Sequence, residues 1–327
     1  MSKKVDLSWH VDGLVHSFNY YRYEISTPIN GLPPPIVTGI TETSYSDSTI
    51  EENKNYFFRI GAVRGSNEKI SSESTFTTVD WLKNWILSNA SVGDAWIVKD
   101  AILDGSGNVL SIPSKAGKEA AMLVTSSTKP PKTGNHLTSA NSVLKLNDTN
   151  KTKWRFLHER DKNKYIVLAI KVTGPSTAQV IASTGEPSTA ANVACAIYFD
   201  YRTTVPFKNT TLFQCSRSLS SGTTYTSKYL SAAPPTLNKN IVFVISQTPS
   251  VTNNIPVIKE DLTSISNREF EANTIDFNDP ASVLTLLNSP SGSSPFVGNF
   301  YGAMVVDKIP NATDQQLIFE YMSGLFE

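Results

Sequence analysis

Cysteine and histidine are scarce in this sequence, which has 2 cysteines and 4 histidines among 327 residues. Neither Cys195 nor Cys215 belongs to a Cys-x-x-Cys pair, and the histidines are scattered along the chain. A structural zinc site needs Cys and His ligands at close spacing. The sequence therefore excludes such a site, and we expect no cofactor.

Long hydrophobic runs and an excess of charge of either sign are also absent. The longest apolar stretches, such as residues 165–170 and 241–245, are far shorter than the roughly 20 residues of a membrane-spanning helix. Lys3 and Lys4 are not followed by a hydrophobic segment, so we expect no signal peptide. The 29 basic residues balance the 29 acidic ones. Without a positive field, we expect neither nucleic acid nor a membrane as a partner.

Residues 1–78 have the pattern of short strands separated by turns. Tyr56, Phe58 and Ile60 occupy alternate positions, which is the period of a strand with one buried face. We expect this strand to be central in its sheet. Trp9 and Tyr56 are expected to form the core of this module, because each is large and lies on the apolar side of a strand.

A short helix is predicted directly after this module. Asp80 precedes a run in which Trp81, Leu82, Trp85 and Ile86 share one side of a helix, and aspartate is a favoured helix cap. We therefore predict a short helical linker over residues 79–91. It separates a module at 1–78 from a second domain at 92–327.

The second domain contains a long series of strand-like runs separated by Gly, Pro, Asn and Ser. This pattern favours a two-sheet jelly roll over a parallel α/β sheet. One predicted strand covers residues 153–158, whereas the Ser/Thr-rich segments 216–227 and 289–294 are predicted to be loops. A capping box that begins at Thr313 predicts a helix ending near Gly324. The predicted fold class is all-β with a short C-terminal helix.

The two cysteines fall in neighbouring strand-like runs, residues 193–201 and 211–215, which a polar turn joins. If these runs form a hairpin, the two sulfur atoms are neighbours. A disulfide between directly paired antiparallel strands is strained, and a chain without an export signal begins in a reducing compartment. We therefore favour buried thiols over a disulfide.

The first module resembles a fibronectin type III module. The resemblance rests on the strand-like segments at residues 5–9, 18–23, 36–40, 43–47 and 55–63. In that family the strand with the tryptophan is the second strand, whereas here it begins at Val5. The resemblance therefore implies a β-sandwich whose first strand is either missing or supplied by another chain. An open sheet edge of this kind is a template for a partner strand.

The second domain resembles the concanavalin A-like, laminin G-type jelly rolls. The resemblance rests on residues 100–109 with their Asp-Gly-Ser-Gly-Asn turn, on residues 153–158, and on residues 296–302 with the helix that follows. Domains of this family bind sugars, bind proteins or have structural roles, so the fold alone does not identify the function.

A fibronectin-like module fused to such a jelly roll, without an export signal, resembles structural proteins of tailed bacteriophages. The resemblance implies a virion protein made in the host cytoplasm, with other virion proteins as partners and a homo-oligomer in the particle. We expect a tail fibre or tail tip protein that binds a host surface glycan or receptor through the jelly roll and docks through residues 1–78. The alternative is a capsid or collar decoration protein with purely structural contacts.

Enzymatic motifs are absent. Glycosidases with this jelly roll carry acidic residues at alternate positions of one strand, because acid and nucleophile must flank the sugar bond. No Glu-x-Asp-x-Glu occurs, and the pairs Glu271 with Asp276 and Glu260 with Asp261 have the wrong spacing. Nucleophile-elbow, phosphate-loop and His-Glu-x-x-His motifs are missing as well. We expect a non-enzymatic protein, and a polysaccharide hydrolase with an unusual acid pair is a second alternative.

Two further candidate sites remain. Asp104 and Asn108 offer oxygen ligands for calcium, but calcium needs six or more oxygens, and a tight turn also accounts for this segment. We favour the turn. Tyr225 and Tyr229 lie in a polar segment where an aromatic ring is more available to stack on a sugar or contact a partner.

Overall fold

The computed structural model describes residues 4–51, 54–139, 141–159, 162–174, 178–185, 194–201, 210–218, 224–231, 233–249, 257–265, 267–271 and 280–327. The chain forms two compact units, residues 1–84 and 85–327. The division falls within helix α1 (Trp81–Asn89). As predicted, Asp80 caps this helix: its Oδ1 atom accepts a hydrogen bond of 2.9 Å from the backbone N–H of Lys83.

The smaller unit is built from seven described strands in two antiparallel sheets. The strands are β1 (Val5–Ser8), β2 (Ser17–Tyr23), β3 (Val37–Ile40), β4 (Ser44–Asp47), β5 (Asn55–Arg64), β6 (Asn67–Ile70) and β7 (Ser74–Thr77). One sheet pairs β1 with β4, and the other has the order β3-β2-β5-β6 with β7 also paired to β5. The prediction that the strand containing Tyr56 is central is confirmed, since β5 pairs with β2, β6 and β7.

The core of the smaller unit centres on Phe18, Tyr20 and Ile60, which are buried together. Tyr56 is buried, as expected. Trp9 is only half-buried and packs against the side of this core, with its ring centroid 5.3 Å from that of Phe18. Trp9 follows the end of β1, so the strand pattern that placed it at the centre ends one residue earlier than predicted.

A buried polar contact joins the two sheets of the smaller unit. Asp47 on β4 accepts hydrogen bonds from Tyr20 Oη (3.0 Å) and Arg22 Nη1 (2.5 Å), both on β2. Burial alone would raise the pKa of the Asp47 carboxyl, but hydrogen bonds from Thr49 and the Arg22 charge lower it overall. The carboxylate is therefore ionised and satisfied where the sheets meet.

The larger unit contains two large antiparallel sheets. Its strands are β8 (Gly93–Ile97), β9 (Ile102–Leu103), β10 (Val109–Ile112), β11 (Met122–Val124), β12 (Lys132–Thr133), β13 (His136–Ser139), β14 (Leu144–Leu146), β15 (Lys164–Val172), β16 (Ala178–Ser183), β17 (Ala194–Asp200), β18 (Thr210–Ser218), β19 (Thr224–Ser231), β20 (Asn240–Gln247), β21 (Val257–Glu260), β22 (Thr263–Ile265), β23 (Asn267–Glu271), β24 (Thr285–Leu286) and β25 (Gly298–Val306).

The ten-stranded sheet has the order β23-β19-β18-β17-β16-β24-β14-β11-β10-β9, and the eight-stranded sheet has the order β12-β13-β25-β15-β20-β21-β22 with β8 paired to β25. Their inner faces share one apolar core, to which the eight-stranded sheet contributes Trp96, Leu168 and Phe243 and the ten-stranded sheet contributes residues such as Ile181 and Phe213. The predicted all-β fold class is confirmed.

A C-terminal helix, α2 (Ala312–Ser323), lies against β15 and β20 on the outer face of the eight-stranded sheet. Its cap is Asn311, whose side chain accepts a hydrogen bond from the backbone of Asp314, so the predicted capping box at Thr313 is wrong. The helix ends directly before Gly324, as predicted. In the described ranges, no helix is both long and apolar enough to cross a membrane.

Two local predictions for the larger unit are wrong. Residues 153–158 do not form a strand, because Thr152–Leu157 is a 3₁₀ helix. Trp154 and Leu157 are both buried, and a spacing of three places them on one side of a 3₁₀ turn, whereas a strand would expose one of them. In the segment 216–227, residues 216–218 belong to β18 and residues 224–227 to β19, so these parts are not a loop; residues 219–223 lie outside the described residues. Threonine and tyrosine suit strands, so its polar composition was misleading.

The predicted hairpin that contains the two cysteines is confirmed. Strands β17 and β18 are antiparallel neighbours, and their register places Cys195 directly opposite Cys215. Cys195 is buried in the core of the larger unit. The oxidation state of this pair stays a prediction.

Acid should destabilise the larger unit through His158. This side chain is buried and its Nε2 atom lies 2.7 Å from Thr184 Oγ1. Burial, and secondarily the charge of Lys164, lowers the pKa of His158 from 6.5 to about 3. The unfolded chain therefore binds a proton below pH 6.5 that the folded chain rejects, and stability falls by about 1.4 kcal/mol per pH unit for this group.

The free energy of unfolding of the larger unit, measured by urea titration from pH 7 to pH 4, should fall less steeply in His158→Gln than in the wild type. His10, whose side chain is 88% exposed, provides the control, and His10→Gln should leave the slope unchanged. An identical slope in His158→Gln and wild type would contradict the buried, neutral histidine.

Candidate functional site

The base of the candidate site is a loop, residues 115–119, that a fully buried carboxylate holds in place. Asp94 on β8 accepts hydrogen bonds at Oδ1 from the backbone N–H groups of Ala95 (2.7 Å) and Ala116 (2.8 Å). Its Oδ2 atom accepts from the N–H groups of Lys118 (2.9 Å) and Glu119 (3.3 Å). Four backbone donors thus satisfy both oxygens of this buried side chain, and the loop is fixed to the sheet.

Glu119 extends this network towards the surface. Its Oε1 atom accepts a hydrogen bond from the Gly93 backbone (3.2 Å), and its carboxylate is in ionic contact with Lys153. Lys153 also contacts Asp148 Oδ2 at 2.5 Å. Burial would lower the pKa of Lys153, but the two carboxylates raise it overall. Lys153 is therefore charged at neutral pH and holds Asp148 in a fixed position.

Asp148 forms part of a groove of about 400 Å³ on the outer side of β11 and β14. The groove is lined by Leu123, Thr125, Lys145, Leu146, Asn147, Asp148 and Thr149. The strand register places Leu123 directly beside Lys145. Within the described ranges, the Lys145 ammonium has no carboxylate partner and the Asn147 amide has no hydrogen-bond partner. The groove therefore combines free donors and acceptors with one fixed carboxylate.

The chemistry of the groove favours hydrogen bonding over acid catalysis. The hydrogen bond from Lys153 lowers the pKa of the Asp148 carboxyl, so this group does not hold a proton at neutral pH. A general acid needs the opposite shift. Among the described residues, no group of three or more His, Cys, Asp or Glu side chains is placed to hold a metal ion.

The structure places the predicted calcium candidates in a tight turn. The Asp104 Oδ1 atom accepts from the backbone N–H groups of Ser106 (2.9 Å) and Asn108 (3.0 Å). Its Oδ2 atom faces the Asn108 amide (3.4 Å) and the Lys129 ammonium (3.6 Å). Gly107 has a φ of +83°, a conformation that glycine adopts without strain. The turn therefore occupies both carboxylate oxygens with its own donors and a neighbouring lysine.

Tyr225 and Tyr229 lie on strand β19, where the register places them opposite Arg217 and Phe213 of β18, respectively. Five strand spacings separate β19 from β14 in the sheet, which corresponds to roughly 24 Å. The two tyrosines are therefore not part of the groove.

The acidic pairs considered for a hydrolase are not gathered into a site either. Lys239 contacts both Asp261 (2.7 Å) and Glu260 (3.7 Å), so these two carboxylates belong to a structural ion pair. Glu271 ends strand β23. Asp276 lies outside the described residues.

Sequence reasoning missed Lys145, Asn147 and Asp148 as a group. The signal is present but weak: Leu144 and Leu146 alternate around Lys145, and the strand then ends in a polar Asn-Asp-Thr turn. Many surface hairpins share this pattern. The partner that distinguishes the site, Lys153, was assigned to a strand that does not exist.

No protein-family model and no curated protein sequence matches this chain. Among solved structures, it is similar to the Trypanosoma rangeli sialidase in complex with the inhibitor DANA, at 8% identity and a TM-score of 0.43, over 81% of this chain and 42% of the sialidase. It is similar to the receptor binding domain of botulinum neurotoxin D at 10% identity and a TM-score of 0.41, over 70% of this chain and 52% of that domain.

A third similar structure is the leech intramolecular trans-sialidase, at 12% identity and a TM-score of 0.34, over 53% of this chain and 25% of the enzyme. This chain thus spans about half, or less, of the length of these three proteins. At such identities and TM-scores, the similarities do not assign an activity or a ligand.

The Lys153 bridge should be essential for the groove. In Lys153→Met the Glu119 carboxylate, whose side chain is 5% exposed, loses its cation and stays buried, which costs about 3–5 kcal/mol. Lys145→Met is the matched control, because Lys145 has no ion pair to lose in the described ranges. Urea unfolding should show a large loss for Lys153→Met and less than about 0.5 kcal/mol for Lys145→Met. Equal effects of the two variants would show that the bridge does not stabilise the groove.

Proposed function

We propose that this protein is a non-enzymatic binding protein of a tailed-phage particle. Its larger unit binds a saccharide of the host surface through the β11–β14 groove, and its smaller unit docks it to the particle. The observation that carries this proposal is the groove itself, in which the unengaged side chains of Lys145 and Asn147 stand beside the fixed carboxylate of Asp148.

The side chains of the groove match the chemistry of a sugar. Sugar hydroxyls both donate and accept hydrogen bonds, and the groove offers an ammonium, an amide, a carboxylate and two threonine hydroxyls. Leu123, which is half-buried, adds apolar surface for the C–H face of a ring. Because the Lys153 bridge fixes Asp148 before binding, the ligand does not have to order it.

The double variant Lys145→Ala/Asn147→Ala should bind saccharide at least about tenfold more weakly, because it removes both unengaged donors beside Asp148. Ligands are first found with the intact chain on a glycan array, and the affinity of the best ligand is then measured by calorimetry. Lys308→Ala, which removes an exposed lysine elsewhere on the larger unit, should bind as the wild type does.

Two results would refute this proposal. The first is a saccharide that binds equally well to the double variant and to the wild type. The second is the release of reducing sugar from the bound saccharide, since this would make the protein a hydrolase.

The smaller unit supports the docking half of the proposal. Its sheets, β1-β4 and β3-β2-β5-β6, fit a fibronectin type III arrangement that lacks the strand normally paired to the outer edge of β1. Within the described residues, this edge of β1 has no partner strand. Exposed strand edges add further strands through main-chain hydrogen bonds. A strand from a sister subunit or another virion protein fits this edge.

Backbone hydrogen bonds identify the groups available at the β1 edge. The Trp9 N–H donates to the Thr43 carbonyl across the ladder (3.0 Å), and Leu7 is opposite Tyr45. Because hydrogen-bonding residues alternate along an antiparallel strand, Trp9 and Leu7 bond to β4. The backbone N–H groups of Asp6 and Ser8 therefore point to the open edge.

Ser8→Pro should block strand addition, because proline removes the outward N–H while the bonds from Leu7 and Trp9 to β4 remain. In sedimentation velocity, the wild type and the control Ser8→Ala should form oligomers, and Ser8→Pro should be monomeric. If Ser8→Pro assembles as well as Ser8→Ala, this edge is not the docking surface.

A further inference from the structure

The outer face of the eight-stranded sheet carries a second polar surface, separate from the groove. Thr138, Asn299, Lys171 and Asn240 lie side by side on the adjacent strands β13, β25, β15 and β20, and we refer to these four residues as the polar row. Their chain neighbours, such as Leu137, Phe300, Ile170 and Ile241, belong to the inner core. Because side chains alternate along a strand, the polar row faces outward.

The polar row lies beyond the area of this face that helix α2 covers. Nearer the helix, outward-facing residues such as Val167, Ala169, Val242 and Val244 are buried. In the polar row, Thr138 is exposed and the other three residues are half-buried. The sheet therefore changes from an apolar, helix-covered face to a polar, open one.

Two side chains of the polar row have no hydrogen-bond partner among the described residues. In the described part of the chain, the Lys171 ammonium has no carboxylate or hydrogen-bond partner, and neither does the Asn299 amide. By contrast, Lys239, next to Asn240, is neutralised by Glu260 and Asp261. Lys171 is thus a half-buried positive charge without compensation, which attracts an anion.

Aromatic side chains border the row and fix part of it. Tyr301 Oη donates a hydrogen bond of 3.2 Å to Asn240 Oδ1, so the Asn240 amide N–H groups are left to face the row. The Tyr301 ring centroid lies 5.1 Å from that of His136 and 4.9 Å from that of Phe326. Burial and the charge of Lys171 lower the pKa of His136, so this neutral ring can both donate and accept.

We propose that the polar row and His136 form a second binding site, which takes an acidic saccharide with its carboxylate on Lys171 and its hydroxyls on the flanking Asn299, Asn240 and Thr138. Four adjacent strands span roughly 14 Å, a length that suits a short oligosaccharide better than a single small anion. The flanking amides present donors and acceptors, as a series of hydroxyls requires.

A peptide fits this surface less well than a sugar. Asn299 and Lys171, at the centre of the polar row, are paired with a strand on both sides, so they offer no open edge to the main chain of a peptide. Each member of the row is also a polar group, which suits the hydroxyls of a sugar better than apolar peptide side chains.

The site is tested by calorimetry on the intact chain with an oligogalacturonate, with a neutral oligosaccharide of the same length, and with a hexaglutamate peptide. The oligogalacturonate should bind, and added salt should weaken it because the central contact is ionic. Lys171→Gln should reduce this affinity at least tenfold. Asn299→Asp, which keeps the side-chain shape but places a negative charge beside Lys171, should reduce it further.

Lys308→Ala, which removes an exposed lysine outside both surfaces, serves as the control and should bind the oligogalacturonate as the wild type does. Binding that Lys145→Ala/Asn147→Ala abolishes and Lys171→Gln leaves unchanged would place the oligogalacturonate in the groove, which would overturn this proposal and leave the first one standing. No binding of oligogalacturonate, or binding that Lys171→Gln and Asn299→Asp leave unchanged, would overturn the proposal. Stronger binding of the hexaglutamate would also overturn it, because the site would then recognise acidic peptides.

Discussion

The burial of one face of each large sheet against the other is the constraint on which the larger unit depends. Leu168 and Phe243 from one sheet and Ile181 and Phe213 from the other share a single core, and burial of such side chains is the main driving force of folding. Each sheet is left with only an outer face and its edges for other purposes. The groove lies on the outer side of β11 and β14 in the ten-stranded sheet, and the polar row lies on the outer face of the eight-stranded sheet.

Buried carboxylates fasten the parts that hydrophobic packing alone would not fix. Asp94 binds four backbone N–H groups and so holds the loop at residues 115–119. Asp47 joins the two sheets of the smaller unit through Tyr20 and Arg22. Buried polar groups of this kind are costly when unsatisfied and specify one arrangement when satisfied. They give the surfaces around them a defined geometry.

The sequence was a good guide wherever one periodicity or one local signal decided the structure. The central strand around Tyr56, the Asp80 cap and the hairpin with Cys195 and Cys215 follow from alternation, capping chemistry and turn composition. Residues 153–158 could not be assigned in this way. Glu119 and Asp148 hold Lys153 through tertiary ion pairs, which no local sequence pattern indicates. Strand β19 was missed because its serines and threonines suit a loop as well as a strand.

The candidate surfaces were harder to predict than the fold. Thr138, Lys171, Asn240 and Asn299 are far apart in sequence, and only the strand register makes them neighbours. None of them belongs to a recognisable motif. A polar residue next to a core strand position is expected on any sheet. Whether it belongs to a binding surface depends on the residues that the adjacent strands place beside it.

The position of β25 in its sheet also determines when the larger unit can fold. This strand, Gly298–Val306, pairs with β8, β13 and β15, although β8 precedes it by about 200 residues. Contacts between such distant segments slow folding, since a long loop must close before they form. During synthesis, the smaller unit can fold as soon as its own residues have emerged, whereas the eight-stranded sheet stays split until residue 306 is available. Nascent chains therefore leave the apolar strand β15 without its partner β25 while the residues between Val172 and Val306 are synthesised, which makes this stage the most prone to aggregation.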